Sequence, residues 1–343
     1  MPGKDISNPM IDYVIKELRY KANQFKDIGA VAVYTGHVVK SDSVVPESLK
    51  LELQAAVAKF EEDIPDDQKD WHPGSDGKVW DLVHPSLYPL VYGRTRVLET
   101  GTTSLDDCIA RCGEGKTTQI PPKEDVAQED TNQNTQLNSY SRNFQWLPCT
   151  VDISEEHCKY VSYPASKKTS KSFSVSPRIT SYINNLHPLK HKNLYHLIER
   201  IIDAAIPLWN MTLGPLDFCD WSNYLRVEYT GSRNHYIKQP EPEKFEPPIE
   251  PDPTFDLKEE YGKKKSGGDG GDGGLQVIVK LANIQLTPEN PSYDGGSWHV
   301  EGQLVSFHPL FSFQNDINII LAFGGKRTNI YALQHSTTIQ TKT

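Results

Sequence analysis

Two side chains late in the sequence, His299 and Glu301, carry its clearest chemical signal. They flank Val300 within "PSYDGGSWHVEG", after a Pro/Gly turn and Trp298. On a strand that spacing sends both side chains to one face. An imidazole and a carboxylate on one face are two donors of a non-haem iron site. Such a site uses two His and one carboxylate and leaves positions open for co-substrate and oxygen. Asp is the commoner carboxylate there, and Glu is a longer substitute. A third ligand is needed. His308 lies too near His299 to come from a later strand, and His335 stands eight residues from the C-terminus. The stretch therefore offers half a site, which predicts weak Fe(II) binding that His299→Ala removes. His-x-Glu also opens the zinc-deaminase signature, but no Cys follows Cys219 to complete that zinc site.

Other residues of the right chemistry have plainer readings. "ARCGEGKT", Ala110 to Thr117, fits a relaxed phosphate-loop pattern. A phosphate loop joins a buried strand to a helix whose N-terminus holds the anion. The preceding "TGTTSLDD" is too polar for that strand, and Pro121-Pro122 would break the helix. The match is read as chance. Cys108 and Cys112 lack a second pair and make no zinc site. His187, His191 and His196 bracket a helix start and read as capping and surface residues. His72 and His84 each precede a proline and read as turn residues.

These groups must be positioned by a chain of 343 residues, 37% hydrophobic and 24% charged, which is enough for a sizeable core in one or two domains. Its formal charge of −9, from 36 basic and 45 acidic residues, disfavours nucleic acid as a partner. The N-terminus has no apolar core of signal-peptide length, and no apolar run is long enough to cross a bilayer. No membrane partner is expected. The five cysteines, odd in number, then read as thiols of an intracellular, cytoplasmic protein.

Asn8-Pro9 signals a helix start, and Ile11, Val14, Ile15, Leu18, Ala22 and Phe25 follow at helical spacing over about 9–26. "AVAVYTGHVV" reads as one or two strands. Pro46 opens a second helix with a stripe of Leu49, Leu53, Ala56, Val57 and Phe60. Both stripes read as core. Leu194, Ile198, Ile201, Ile202 and Ala205 mark a third helix ending at Pro207. "NYLRVEYTGSRNHYI" and "LQVIVKLANIQL" read as strands. The polar stretch of about 100–136 and the Pro/Glu- and Gly-rich stretch of about 239–274 read as disordered inserts and the first sites of limited proteolysis.

Five blocks run from Val38 to Gly302: "VVKSDSVVPESL", "DWHPGSDGKVWDLVHPSLYPLVYGRTRVL", "FQWLPC", "SYINNLHPLKHKNLYHLIERII" and "QVIVKLANIQLTPENPSYDGGSWHVEG". They resemble a mostly fungal family known as domain of unknown function 4246. The resemblance implies a distinct N-terminal region and a larger domain similar to 2-oxoglutarate/Fe(II) oxygenases, built on a double-stranded β-helix. It implies His299 and Glu301 as the proximal metal pair, with a distal His and a co-substrate-binding Arg on later strands. The likeness stops at Gln303 or Leu304.

The expected architecture is α+β. A region over 1–75 with helices and strands precedes a main domain over 79–304, an incomplete, jelly-roll-like double-stranded β-helix. A tail over 305–343 is foreign to the family. The expected lineage activity is 2-oxoglutarate/Fe(II)-dependent oxygenation of an unknown substrate, with this chain inactive for want of the distal His and the Arg. The alternative is a non-enzymatic α+β interaction module or a truncated product. Val305-Ser306 can be encoded by GTGAGT, a common splice-donor sequence, so the tail is expected to be translated intron. The spliced message should then join after Leu304 into strands bearing a His and an Arg; a mature message that encodes the tail as written would contradict this.

Overall fold

The computed structural model describes residues 8–34, 38–122, 141–153, 176–213, 274–295, 317–324 and 327–334. The expected strand "NYLRVEYTGSRNHYI", nearly all of the 239–274 insert, and Trp298, His299 and Glu301 lie outside them.

Helix α1 (Asn8–Ile28) ends at Gly29, whose φ of 69° is the left-handed geometry that closes helices. Ser41 Oγ donates to Gly29 O at 2.6 Å and accepts from the N–H groups of Ser43 and Val44, tying the helix end to a later loop. The apolar stripe expected to be core is not. Ile11, Val14, Ile15, Leu18 and Phe25 are 40–60% exposed, whereas Tyr13 is buried. The helix meets β1 (Val31–Tyr34); helical spacing identified the helix but not its buried side.

β1 pairs antiparallel with β2 (Val38–Lys40), the two strands expected of "AVAVYTGHVV". Beside β2 lies β14 (Arg327–Gln334), which pairs in turn with β13 (Ile317–Gly324). Two strands of this four-stranded sheet thus come from the 305–343 tail.

Pro46, with φ of −61°, sits at the N-cap of α2 (Glu47–Glu62), where its fixed φ suits a helix start. Leu49, Leu53 and Phe60 are buried and Ala56 and Val57 pack against the core, as their spacing predicts. They meet α3 (Lys192–Leu213), which buries Leu194, Leu197, Ile198, Ile201, Ile202, Ala205 and Ile206. α3 does not stop at Pro207 as expected. An interior proline costs about 3 kcal/mol, and burial of Leu208 and Trp209 just beyond it contributes about 1.5–3 kcal/mol each. Burial of this size offsets the local cost.

β4 (Val79–Val83) lies between β3 (Asp70–Trp71) and β12 (Leu281–Ile284). Trp80 to Val83 are all buried, so both faces of β4 are covered. Glu61 of α2 accepts from Asn283 Nδ2 of β12, joining helix to sheet, and burial raises the Glu61 carboxyl above its usual range. β9 (Cys149–Asp152) lies between β10 (Arg178–Ile179) and β11 (Leu275–Val277).

Two short pairs complete the sheets: β5 (Leu90–Val91) with β8 (Phe144–Gln145), and β6 (Arg96–Val97) with β7 (Lys116–Thr117). Among the described residues the architecture is therefore α+β with small antiparallel sheets.

Residues 100–122, expected to lack regular structure, hold hydrogen-bonded turns and β7, while 123–136 lie outside the described residues. A Cβ at Gly115 would collide with the Val97 carbonyl, so glycine lets the two backbones pair. Lys116 stands on this short strand, and residues 118–122 that follow it hold no helix. No helix of the described residues is long and apolar enough to cross a membrane.

Cys108, Cys112 and Cys149 are free thiols. Cys149 is 2% exposed, and burial pushes its thiol pKa up to about 12, whereas Cys112 is exposed. Since the thiolate is the reactive form, iodoacetamide at pH 8 should label Cys112 in the native chain and reach Cys149 only after denaturation. Equal labelling of both in the native state, read by peptide mass spectrometry, would contradict this burial.

Candidate metal centre

β3 and β4 form a hairpin in register Trp71↔Trp80 and Asp70↔Asp81. Its connection, His72 to Lys78, closes through His72 N–H to Val79 O at 2.8 Å, with Gly74, Asp76 and Gly77 all at positive φ. His72 stands opposite Val79 and Asp81 opposite Asp70, so His72 and Asp81 are diagonal neighbours on one face. Their side chains meet, with His72 Nδ1 2.8 Å from Asp81 Oδ2.

The next residue after β4 is His84. Pro85 restricts it to extended backbone and lacks the N–H that would continue a ladder. The chain turns there, with Leu87 N–H donating to His84 O at 3.1 Å. The His84 ring packs edge-on to His72 and to Trp146, with centroids 5.9 Å away in each case.

One ligand atom from each of His72, Asp81 and His84 lies within 4.8 Å of the other two. This is the only such group of three among the described residues, and Cys108 and Cys112 take part in none. Reading His72 and His84 as turn residues placed them correctly in the chain but missed that the hairpin brings them together.

The electrostatics favour a cation. Asp81 is 4% exposed and His84 6%. Asp81 Oδ2 faces His72, but buried Oδ1 has no hydrogen-bond partner among the described residues. A buried carboxylate oxygen left unpaired is costly. A divalent ion held by two imidazoles and this carboxylate would satisfy it. The donor set is the two-His, one-carboxylate set that suits Fe, Mn or Zn with positions left open. The His72 side chain is 33% exposed, so the centre has a solvent side.

Residues a hundred positions away hold this turn. Asn185, at φ 48°, donates Nδ2–H to Leu82 O at 2.7 Å and accepts His84 N–H at Oδ1 at 3.3 Å. Its amide serves β4 as a further strand would. Asn184 donates to Pro85 O at 3.0 Å and Tyr88 O at 2.9 Å, and accepts from Tyr88 N–H at 3.1 Å. The Asn pair is fixed in turn by Tyr195 of α3, whose hydroxyl accepts from Ile183 N–H and donates to Leu186 O. Burial raises the pKa of that phenol, which stays a hydrogen-bond donor. None of these roles was drawn from the sequence.

Of the other described histidines, His187 Nδ1 accepts from the N–H groups of Leu189 and Lys190 and His196 pairs with Glu199 on the surface, as expected, whereas half-buried His191 packs edge-on against the core residue Phe60.

A family profile described as "Protein of unknown function (DUF4246)" matches residues 8–306. The match takes in α1, which lies before the blocks that carry the sequence likeness. No curated protein and no solved structure matches the chain. With most of its length matched, the chain belongs to the DUF4246 family.

Proposed function

We propose that this DUF4246 member is a non-haem metal protein of the oxygenase type, its metal held by His72, Asp81 and His84. The observation that carries the reading is the unpartnered, buried Oδ1 of Asp81 beside two imidazoles. Bound there, Fe(II) would supply oxygen activation at its open positions. The chain's own residues do the rest. The hairpin sets the spacing of His72 and Asp81, Asn185 fixes the backbone of His84, and Trp146 walls its ring.

The 2-oxoglutarate co-substrate, the double-stranded β-helix, the fungal lineage and the His299–Glu301 pair come to this reading from the sequence resemblance alone. The expected inactivity counted ligands only along the stretch from His299 onward. The three donors around β3 and β4 need nothing from that stretch.

The test is oxygen consumption by the full chain that requires both Fe(II) and 2-oxoglutarate, compared with Asp81→Ala and His299→Ala. Loss in Asp81→Ala with activity kept in His299→Ala supports the centre. Loss only in His299→Ala would move the metal to the pair that the resemblance implies.

A second reading, a non-enzymatic interaction module, draws on the exposed apolar side of α1. It predicts no metal binding, and concentration-dependent association that Leu18→Glu abolishes.

A further inference from the structure

We propose that Ser86 decides which nitrogen of His84 is offered to the metal; this rests on the reading of His72, Asp81 and His84 as the metal centre. Ser86 Oγ lies 2.6 Å from His84 Nδ1, and the Ser86 backbone N–H donates to the same nitrogen at 3.2 Å. A nitrogen that accepts from a backbone N–H carries no proton. In the metal-free neutral ring the proton is then on Nε2.

A metal needs a bare lone pair. With Nδ1 turned to Ser86, coordination falls to Nε2, whose proton must pass to Nδ1 as the metal enters. The backbone N–H cannot accept that proton's hydrogen bond. The hydroxyl can, because it both donates and accepts. Once the proton is on Nδ1, the Ser86 O–H turns away and Oγ accepts from Nδ1–H, while the Ser86 backbone N–H gives up its bond to that nitrogen. Ser86 then provides the outer hydrogen bond that metal-bound imidazoles make through their second nitrogen. It touches no metal and acts only through His84, as a positioning residue. Its place is set by the turn: Pro85 fixes one torsion, and Asn184 Nδ2 holds Pro85 O at 3.0 Å.

The experiment measures Co(II) affinity of the full chain by competition with a fluorescent chelator, together with the Co(II) absorption spectrum. Ser86→Ala should weaken binding by about 10–100-fold, the usual cost of losing an outer-shell partner, and change the spectrum. Its metal-free thermal midpoint should stay at the wild-type value, since Ser86 is exposed. Ser86→Thr keeps the hydroxyl and should bind like wild type. Ser86→Val, which matches Thr in shape, should bind like Ser86→Ala and so isolates the hydroxyl if the Ala variant folds poorly. Ser86→Ala or Ser86→Val binding as tightly as wild type would overturn this role while leaving the metal centre in place. Wild type that binds no Co(II) would overturn the centre and this role together.

Discussion

His84→Ala will lower Mn(II) or Fe(II) affinity by more than ~100-fold, beyond the 10–100-fold that loss of an outer-shell partner costs. It removes one of only two imidazoles from the donor set. Asp81→Asn should weaken metal binding at least as much, without destabilising the metal-free fold. Asp81 keeps a desolvated carboxylate oxygen without a partner, so a neutral isostere should raise the metal-free thermal midpoint or leave it unchanged. Metal at about 100 times its Kd stabilises a native state by about 2.7 kcal/mol. At roughly 2–4 °C per kcal/mol for a mid-sized domain, that is a rise of about 5–10 °C. Wild type should show this rise under anaerobic Mn(II), and both variants should lack it. A rise of equal size in His84→Ala would remove His84 from the site.

Asn184→Ala will destabilise the chain by about 2–4 kcal/mol, the cost of leaving buried and half-buried backbone groups without partners. Three groups lose their partner: Pro85 O, Tyr88 O and Tyr88 N–H. Tyr88 lies near the surface, so water can take up part of the loss, which keeps the estimate below three full penalties. Against a typical total of about 5–15 kcal/mol this is a large share. Asn184→Asp, equal in size, should cost at least as much because it keeps the acceptor but sets charge beside two carbonyl oxygens. Both variants should also weaken metal binding, because the turn they loosen carries His84 and Ser86. Urea unfolding checks the first claim and metal titration the second. An unchanged midpoint together with unchanged metal affinity would show that the turn does not depend on Asn184.

Much of the fold was legible in local patterns. The α2 stripe became core, and β1, β2, β11 and β12 became strands, because residue type and period alone dictate those choices. Where tertiary packing overrides local preference, the reading failed. Pro207 stays helical because Leu208 and Trp209 are buried beyond it, and α1 exposes the stripe that its spacing marked as core.

The site was hidden for a related reason. Taken singly, each by its neighbouring proline, His72 and His84 read as turn residues. The signal lay in their pairing: "WHPGSDGKVWD" is two Trp-bearing arms around a Gly-rich turn. Registering Trp71 against Trp80 places His72 and Asp81 on one face. Asn184 and Asn185 gave no such signal, since they join the site across about a hundred residues of chain that no local rule connects.

The most direct measurement is anomalous diffraction from crystals of the full chain grown with Mn(II) under anaerobic conditions. A peak at coordination distance from His72, Asp81 and His84, absent in Asp81→Asn crystals grown the same way, is the result predicted here. A peak at His299 and Glu301 with none at the hairpin, or no bound Mn(II) in either place, would contradict the assignment.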